Sequence, residues 1–236
     1  MARASMPALS EQLLLSVAEQ LKLPLLQIAR QAELAQLTNN PNLHEIESSA
    51  DTALRLIDSY VLGMRLALEG QESLMLEPVS VSSVLYDTGQ QLEALAKFYG
   101  VKLELQVAGK FGPVMAHRKG LQAALVSLGA SLIEAMPALE SPQLRLQLAT
   151  HRCRYGIVAG LYSDTETLTA EALRQGRKLQ GVSRQPLVNV AHTGAAGIFV
   201  ADAILHAMRL KLQASRHHRL YGIGAVLQPN NQLALI

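Results

Sequence analysis

Tryptophan is absent from this 236-residue chain, and aromatic residues make up only 4% of it. A core with so few large rings has to be built from Leu, Ala, Val and Ile, which suits helix packing. Cysteine occurs once, at Cys153. An intrachain disulfide and a thiolate metal cluster are therefore excluded, and a reducing compartment fits. A large excess of charge of one sign is also lacking. The formal net charge is +2, too small to point to a nucleic-acid partner, and none is expected. No apolar run reaches the roughly 18 residues of a membrane span, so no span is expected. The opening "MARASMPALSEQLLLSV" is broken by Ser, Pro, Glu and Gln and makes a poor signal peptide. A soluble cytoplasmic protein is the expectation.

Hydrophobic residues supply 49% of the chain and charged residues 17%, enough for a packed core in one large domain or two small ones. Residues 8–37 carry Leu9, Leu13, Val17, Leu21, Leu25, Ile28 and Ala32 in alternating steps of three and four. That is the period of an amphipathic helix. "TNNPN" (38–42) is a turn cluster. Residues 44–68 repeat the pattern with Ile46, Ala50, Ala53, Ile57, Tyr60, Met64 and Leu68. Two such helices form an antiparallel hairpin. A lone hairpin cannot bury its whole seam, so two hairpins are expected to pair as a dimeric four-helix bundle through residues 8–68.

"EGQES" (69–73) reads as a linker between a helical domain, 1–70, and an α/β domain, 74–236. In the second part "LEPVSV", "VKLELQV", "LRLQLAT", "RYGIVAGLY", "LKLQAS", "YGIGAVLQ" and "QLALI" read as strands, the last two joined by a turn at "PNN". Helices are predicted over 82–98, from Lys119 to Met136 and near 195–208. The fold class is α+β: one mixed sheet with helices on one face. The run Arg216, His217, His218, Arg219 reads as a solvated turn between two strands. The seven histidines show no metal-ligand spacing, so no metal site is expected.

Pro24 interrupts the first helix inside "EQLKLPL" (19–25), where a proline removes one hydrogen bond and costs about 3 kcal/mol. With this box, the hairpin and the order of the later elements, the chain resembles the cytoplasmic core of sensor histidine kinases. That core is a dimerisation hairpin followed by a Bergerat-type (GHKL) ATP-binding domain, an α/β sandwich with a mixed sheet. The resemblance covers nearly the whole chain and rests on order and spacing more than on identities. The family's box has the form His-Glu-Leu-Arg/Lys-Thr-Pro-Leu. Leu21, Lys22, Pro24 and Leu25 fit it. Glu19 occupies the phosphoacceptor slot, Gln20 replaces the neighbouring acid, and Leu23 stands where a Thr or Asn orients water. Acceptor, acid and water-positioner are thus all replaced, and no catalytic residue is expected here. Glu19, Gln20, Lys22, Leu23 and Pro24 are read instead as a partner-binding face, with Glu19 a candidate mimic of a phosphorylated acceptor.

The nucleotide motifs have changed in the same way. Counting back from Pro137, Ser127 and Ser131 take the places of the two asparagines of the magnesium-binding helix. A serine hydroxyl is a weaker ligand for Mg²⁺ than an amide carbonyl, and Glu134, one turn on, could substitute. In the Asp-x-Gly-x-Gly box, Ser163 holds the aspartate position and threonines hold both glycine positions, with Asp164 one residue out of register. The phosphate loop keeps Gly194 and Gly197 around Ala195, with Arg184 and His192 upstream. The resemblance then implies a vestigial pocket of Ser127, Ser131, Glu134, Ser163, Asp164, Gly194 and Gly197, with weak or absent ATP and magnesium. It implies a non-catalytic, dimeric kinase-like protein that binds a response-regulator receiver domain or a histidine kinase. A kinase-type ATP-binding enzyme with altered residues is the alternative. So is a protein similar to histidine phosphotransferases with a vestigial ATPase-like domain, against which Glu19 counts.

Overall fold

A computed structural model describes residues 21, 25, 26, 28–35, 37, 43–69, 74–107, 111–136, 144–164, 173, 174, 177 and 195–229. The box residues Glu19, Gln20, Lys22, Leu23 and Pro24 lie outside the described residues, as do Gly194, Arg184, His192 and the expected strand 232–236.

The described residues between 21 and 37 are helical, and helix α1 follows at Leu43–Glu69. The Ser49 hydroxyl donates to Gln31 Oε1 at 3.0 Å, tying the two helices together. Strand β1 (Glu77–Val79) leads to α2 (Val81–Phe98), capped by the Ser80 side chain. Strands β2 (Lys102–Val107) and β3 (Val114–Ala116) precede α3 (Arg118–Ala135), whose N-cap is His117, with Nδ1 accepting from the Gly120 amide at 3.0 Å. Strands β4 (Arg145–Cys153) and β5 (Gly156–Ser163) form a hairpin. Helix α4 (Ala195–Ala207) and a second hairpin, β6 (Lys211–His217) and β7 (Leu220–Leu227), complete the described chain.

The main sheet has five strands in the order β2-β4-β5-β7-β6. The β2–β4 pair is parallel and the others are antiparallel, so the sheet is mixed, as expected. One expectation needs correction. "LEPVSV" does not join this sheet. Its residues 77–79 pair with 114–116 in a separate two-stranded sheet. "VMA" is too short for a period, and its strand character comes from the partner alone. A second correction concerns the basic run. The turn is His218–Arg219, with His218 at φ 53°, but His217 is only 5% exposed and belongs to β6.

Helices α2, α3 and α4 cover one face of the sheet, through residues such as Leu92, Leu125, Leu128 and Ile204 against Leu148 and Leu161. Helix α1 packs chiefly on α4, and also on α3 and α2. Its buried stripe is Ser49, Ala53, Leu56, Tyr60 and Gly63, a strict alternation of four and three. Ala53 and Tyr60 belong to the seam read from the sequence. Ile46, Ala50, Ile57 and Met64 of that seam are half-buried instead, because the helix turns its small and hydroxyl residues toward its neighbours. Helix α4 is apolar apart from Asp202 and His206 and buried over most of its length, sandwiched between the sheet and α1.

Candidate functional site

Three of the positions that the resemblance groups in one pocket, Ser127, Ser131 and Gly197, meet where α1, α3 and α4 come together. Ser127 and Ser131 lie one turn apart on α3 and are fully buried. Facing them is Gly197, in the first turn of α4. A Cβ there would collide with the Ser131 hydroxyl and the Ser127 carbonyl, so the glycine sets the contact distance between the two helices. The same first turn buries Ala196 and Ile198. Its backbone is spent on a close helix crossing.

The third side of the joint is Tyr60. Its ring is 1% exposed, and its phenol shares a hydrogen bond with Ser131. Three residues further along α1, Gly63 meets α4 so closely that a Cβ would lie 2.8 Å from Val200 Cγ1. Burial, and then the Glu134 carboxylate, push the Tyr60 phenol well above its ordinary pKa, and the Ser131 bond opposes that shift. Tyr99, at the end of α2, feels the same two influences and is pushed up to about 12. Glu134 is half-buried and sits within the influence of two phenols. Met136, which ends this helix, is 1% exposed and packed in the core.

The Asp-x-Gly-x-Gly positions stand at the end of β5. Ser163 is 4% exposed and shares the helix-facing row of β5 with Ile157, Ala159 and Leu161. Its hydroxyl donates to Asp164 Oδ1 at 3.2 Å, while Asp164 itself is exposed. Three residues of the following stretch are described. Leu173 joins the core, and the Arg177 guanidinium pairs with Asp202 of α4 at 3.4 Å and donates to the Leu212 carbonyl.

The structure thus brings Ser127, Ser131 and Gly197 together, with Glu134 one turn on, and leaves Ser163 and Asp164 at the sheet end. Tyr60 is the member that the sequence reading placed elsewhere, in a dimer seam. The signal was available in "AAGIFVADAIL": a helix apolar nearly all round must be covered on its outer side, and α1 is the nearest long amphipathic element. A cleft of about 600 Å³ lined by Leu76, Tyr155 and Lys211 and one of about 570 Å³ lined by Glu47, Arg55 and Gln122 lie away from these positions. Among the described residues, no group of three His, Cys, Asp or Glu is placed to hold a metal, and no helix is long and apolar enough to cross a membrane.

No family model and no curated protein matches the chain. Solved structures do. The histidine kinase AdeS of Acinetobacter baumannii matches at TM-score 0.50 and 14% identity, over 89% of this chain and 98% of its own. Full-length ShkA in complex with AMPPNP matches at TM-score 0.53 and 13% identity, over 78% of this chain and 38% of its own. A bacterial phosphotransferase matches at TM-score 0.47 and 12% identity, over 94% of this chain and 100% of its own. The helices, the mixed five-stranded sheet and their order along the chain make a fold similar to those of these two histidine kinases.

Proposed function

We propose that this chain is a non-catalytic, histidine-kinase-like signalling protein that dimerises through its helical hairpin and binds a two-component partner, a receiver domain or a kinase. The observation that carries the proposal is the Tyr60–Ser131–Gly197 joint. The positions that would ligate magnesium are serines without an amide carbonyl. One of them bonds a tyrosine of the hairpin, and both lie under the first turn of α4. This close packing supports weak or absent binding of a magnesium nucleotide. Glu19, at the phosphoacceptor slot, supports the same reading from the sequence side.

Dimerisation is supported by exposed apolar residues on both hairpin helices. Leu26 is 46% exposed and Leu37, eleven residues on, 82% on the first, and Leu54 and Val61, seven residues apart on α1, are 59% and 48% exposed. Such a stripe on adjacent helices suits a second copy of the hairpin. The partner-binding face is assigned to Glu19, Gln20, Lys22, Leu23 and Pro24. The division at about residue 70 is kept as a division of roles, hairpin against α/β layer.

Titration calorimetry with Mg-ATP tests the reading. The expected result is no binding tighter than about 1 mM, or about −4 kcal/mol. A micromolar constant would overturn it. Light scattering is expected to report a dimer, and a monomer at micromolar concentration would remove the bundle.

A further inference from the structure

The outer face of the sheet, away from the helices, carries a second cluster that the reading above leaves unused. Its centre has almost no side chains. Ala149, Gly160 and Gly224 lie side by side in register, and Gly222 pairs with Tyr162. Strand glycines permit strong coiling and close approach. Tyr162 lies over this floor. A Cβ on Gly160 would sit 3.0 Å from its hydroxyl, and a Cβ on Gly222 would collide with its ring. The ring is fully buried although it is on the face without helices.

Residues from distant strands close over it. The Tyr162 hydroxyl is 3.3 Å from His151 Nδ1 and donates to Ser215 Oγ at 3.4 Å. Ser215 Oγ is itself 3.4 Å from His151 Nε2. His217 Nε2 is 3.2 Å from Gln106 Oε1. Gln106 is on β2 and His217 on β6, the two edge strands, so one side-chain hydrogen bond joins the edges of the sheet across its face. The His151 and His217 rings stack at 5.1 Å and 19°, and the His218 ring lies 4.3 Å from His217.

We propose that His151 and His217, with the His218 ring beside His217, form an acid-released latch: as neutral rings His151 and His217 hold β6 folded over Tyr162 toward β4 and β2, and their protonation drives β6 and its turn away. The argument is one of missing counter-charge. Residues 145–163 and 209–227, which contain β4 to β7, include no Asp or Glu and seven Lys or Arg. On β2 the one carboxylate, Glu104, is held by Lys102 at 2.9 Å and Arg145 at 3.9 Å. The groups facing the rings are Gln106 from β2, Tyr162 from β5 and Ser215 from β6, while Cys153 of β4 acts on the Tyr162 phenol. Arg216 and Arg219 flank them in sequence, and Arg216 lies over the Tyr221 ring at 4.5 Å. Among the described residues no carboxylate pairs with these imidazoles, so a proton added to His151 or His217 meets no counter-charge from them.

The titration behaviour agrees. Burial, and then His218, lower the His151 pKa; burial, then His218 and His151, lower that of His217. A group lowered in the closed form binds protons more readily once released. The latch is therefore at full strength above about pH 6.5 and weakens as pH falls through that value toward the lower closed-state pKa.

Amide hydrogen exchange on the full chain, corrected for intrinsic rates, tests this. Between pH 7.5 and 5.5, protection over 211–217 is expected to fall about tenfold while α3 keeps its protection, as expected for local opening. His218→Asn keeps the left-handed turn and removes one ring. It is expected to reduce the fall to about threefold or less. In the unaltered chain, imidazole NMR is expected to place the His151 and His217 midpoints below 6.5. Flat protection over β6, a fall shared equally by α3, a fall that His218→Asn leaves unchanged, or midpoints at or above 6.5 would each overturn the latch.

Discussion

The two faces of the five-stranded sheet solve one problem in opposite ways. On the helix side, a missing side chain at Gly197 lets α4 settle onto Ser127 and Ser131, and one at Gly63 lets α1 settle onto α4. The space is taken by backbone and aliphatic groups, with a single tyrosine bonded to a serine. On the outer side, missing side chains at Gly160, Gly222 and Gly224 let a tyrosine ring settle onto the strands, with imidazoles and hydroxyls closing over it. The first joint has little that titrates near neutrality. The second is made of groups that do. Removing side chains from a scaffold therefore does not by itself decide whether it becomes inert or responsive. What fills the vacated space decides.

The largest expected effect tests the helix side. Gly197→Leu places a branched side chain against the Ser127 backbone, which cannot yield as a side chain end can. A loss of about 3 kcal/mol or more is expected in urea denaturation. Under 1 kcal/mol would mean that α4 and α3 are not locked together. Tyr60→Ala is expected to cost about 3–5 kcal/mol as a large buried ring is deleted. Tyr60→Phe keeps the ring and loses the Ser131 bond, for about 1 kcal/mol. If both variants cost the same, hydrogen bonding rather than packing holds the joint.

The outer face answers to the alkaline limb of a stability profile. Burial, opposed by the Ser215 bond and reinforced by Cys153, raises the Tyr162 phenol to about 12. A raised phenol contributes stability that is complete below the unfolded value near 10 and is lost as pH rises toward 12. Tyr60 and Tyr99 act in the same direction. Tyr162→Phe is expected to flatten part of the decline between pH 10 and 12, and an unchanged slope would show that its phenol is not enclosed. The smallest effect on stability is expected at the hairpin surface. Leu54→Glu and Val61→Glu should alter folding by less than about 0.5 kcal/mol while halving the mass seen by light scattering. A dimer that survives both places the contact elsewhere.

Much of the architecture was legible in the residues. Strict alternation in "LRLQLAT" and the apolar run "GIVAGLY" gave β4 and β5 to within a few residues. The predicted helices over 82–98 and from Lys119 to Met136 match α2 and α3 to within about a residue at each end. The resemblance grouped Ser127, Ser131 and Gly197, and in the structure Gly197 lies against both serines. The deepest stripe of α1 was not legible. Ser49 and Gly63 carry no hydrophobic signal, so a pattern search weights Ile57 and Met64 above them. Strand β3 was invisible because three residues hold no period. The imidazole cluster left no trace either. His217 and Gln106 are 111 residues apart, and His151 and Ser215 are 64 apart. They meet only because the sheet coils, which no local pattern encodes.

Gly63 is a position at which the separation of hairpin and α/β layer can be adjusted. One added carbon there would stand 2.8 Å from Val200 Cγ1, inside normal contact, so the two helices must part by a fraction of an ångström. Alanine, then serine, then valine would form a graded set of wedges, each prising the arm a little further from the body without altering any group that handles a proton. A chain whose parts are joined at so small a residue can be made stiffer or looser in steps.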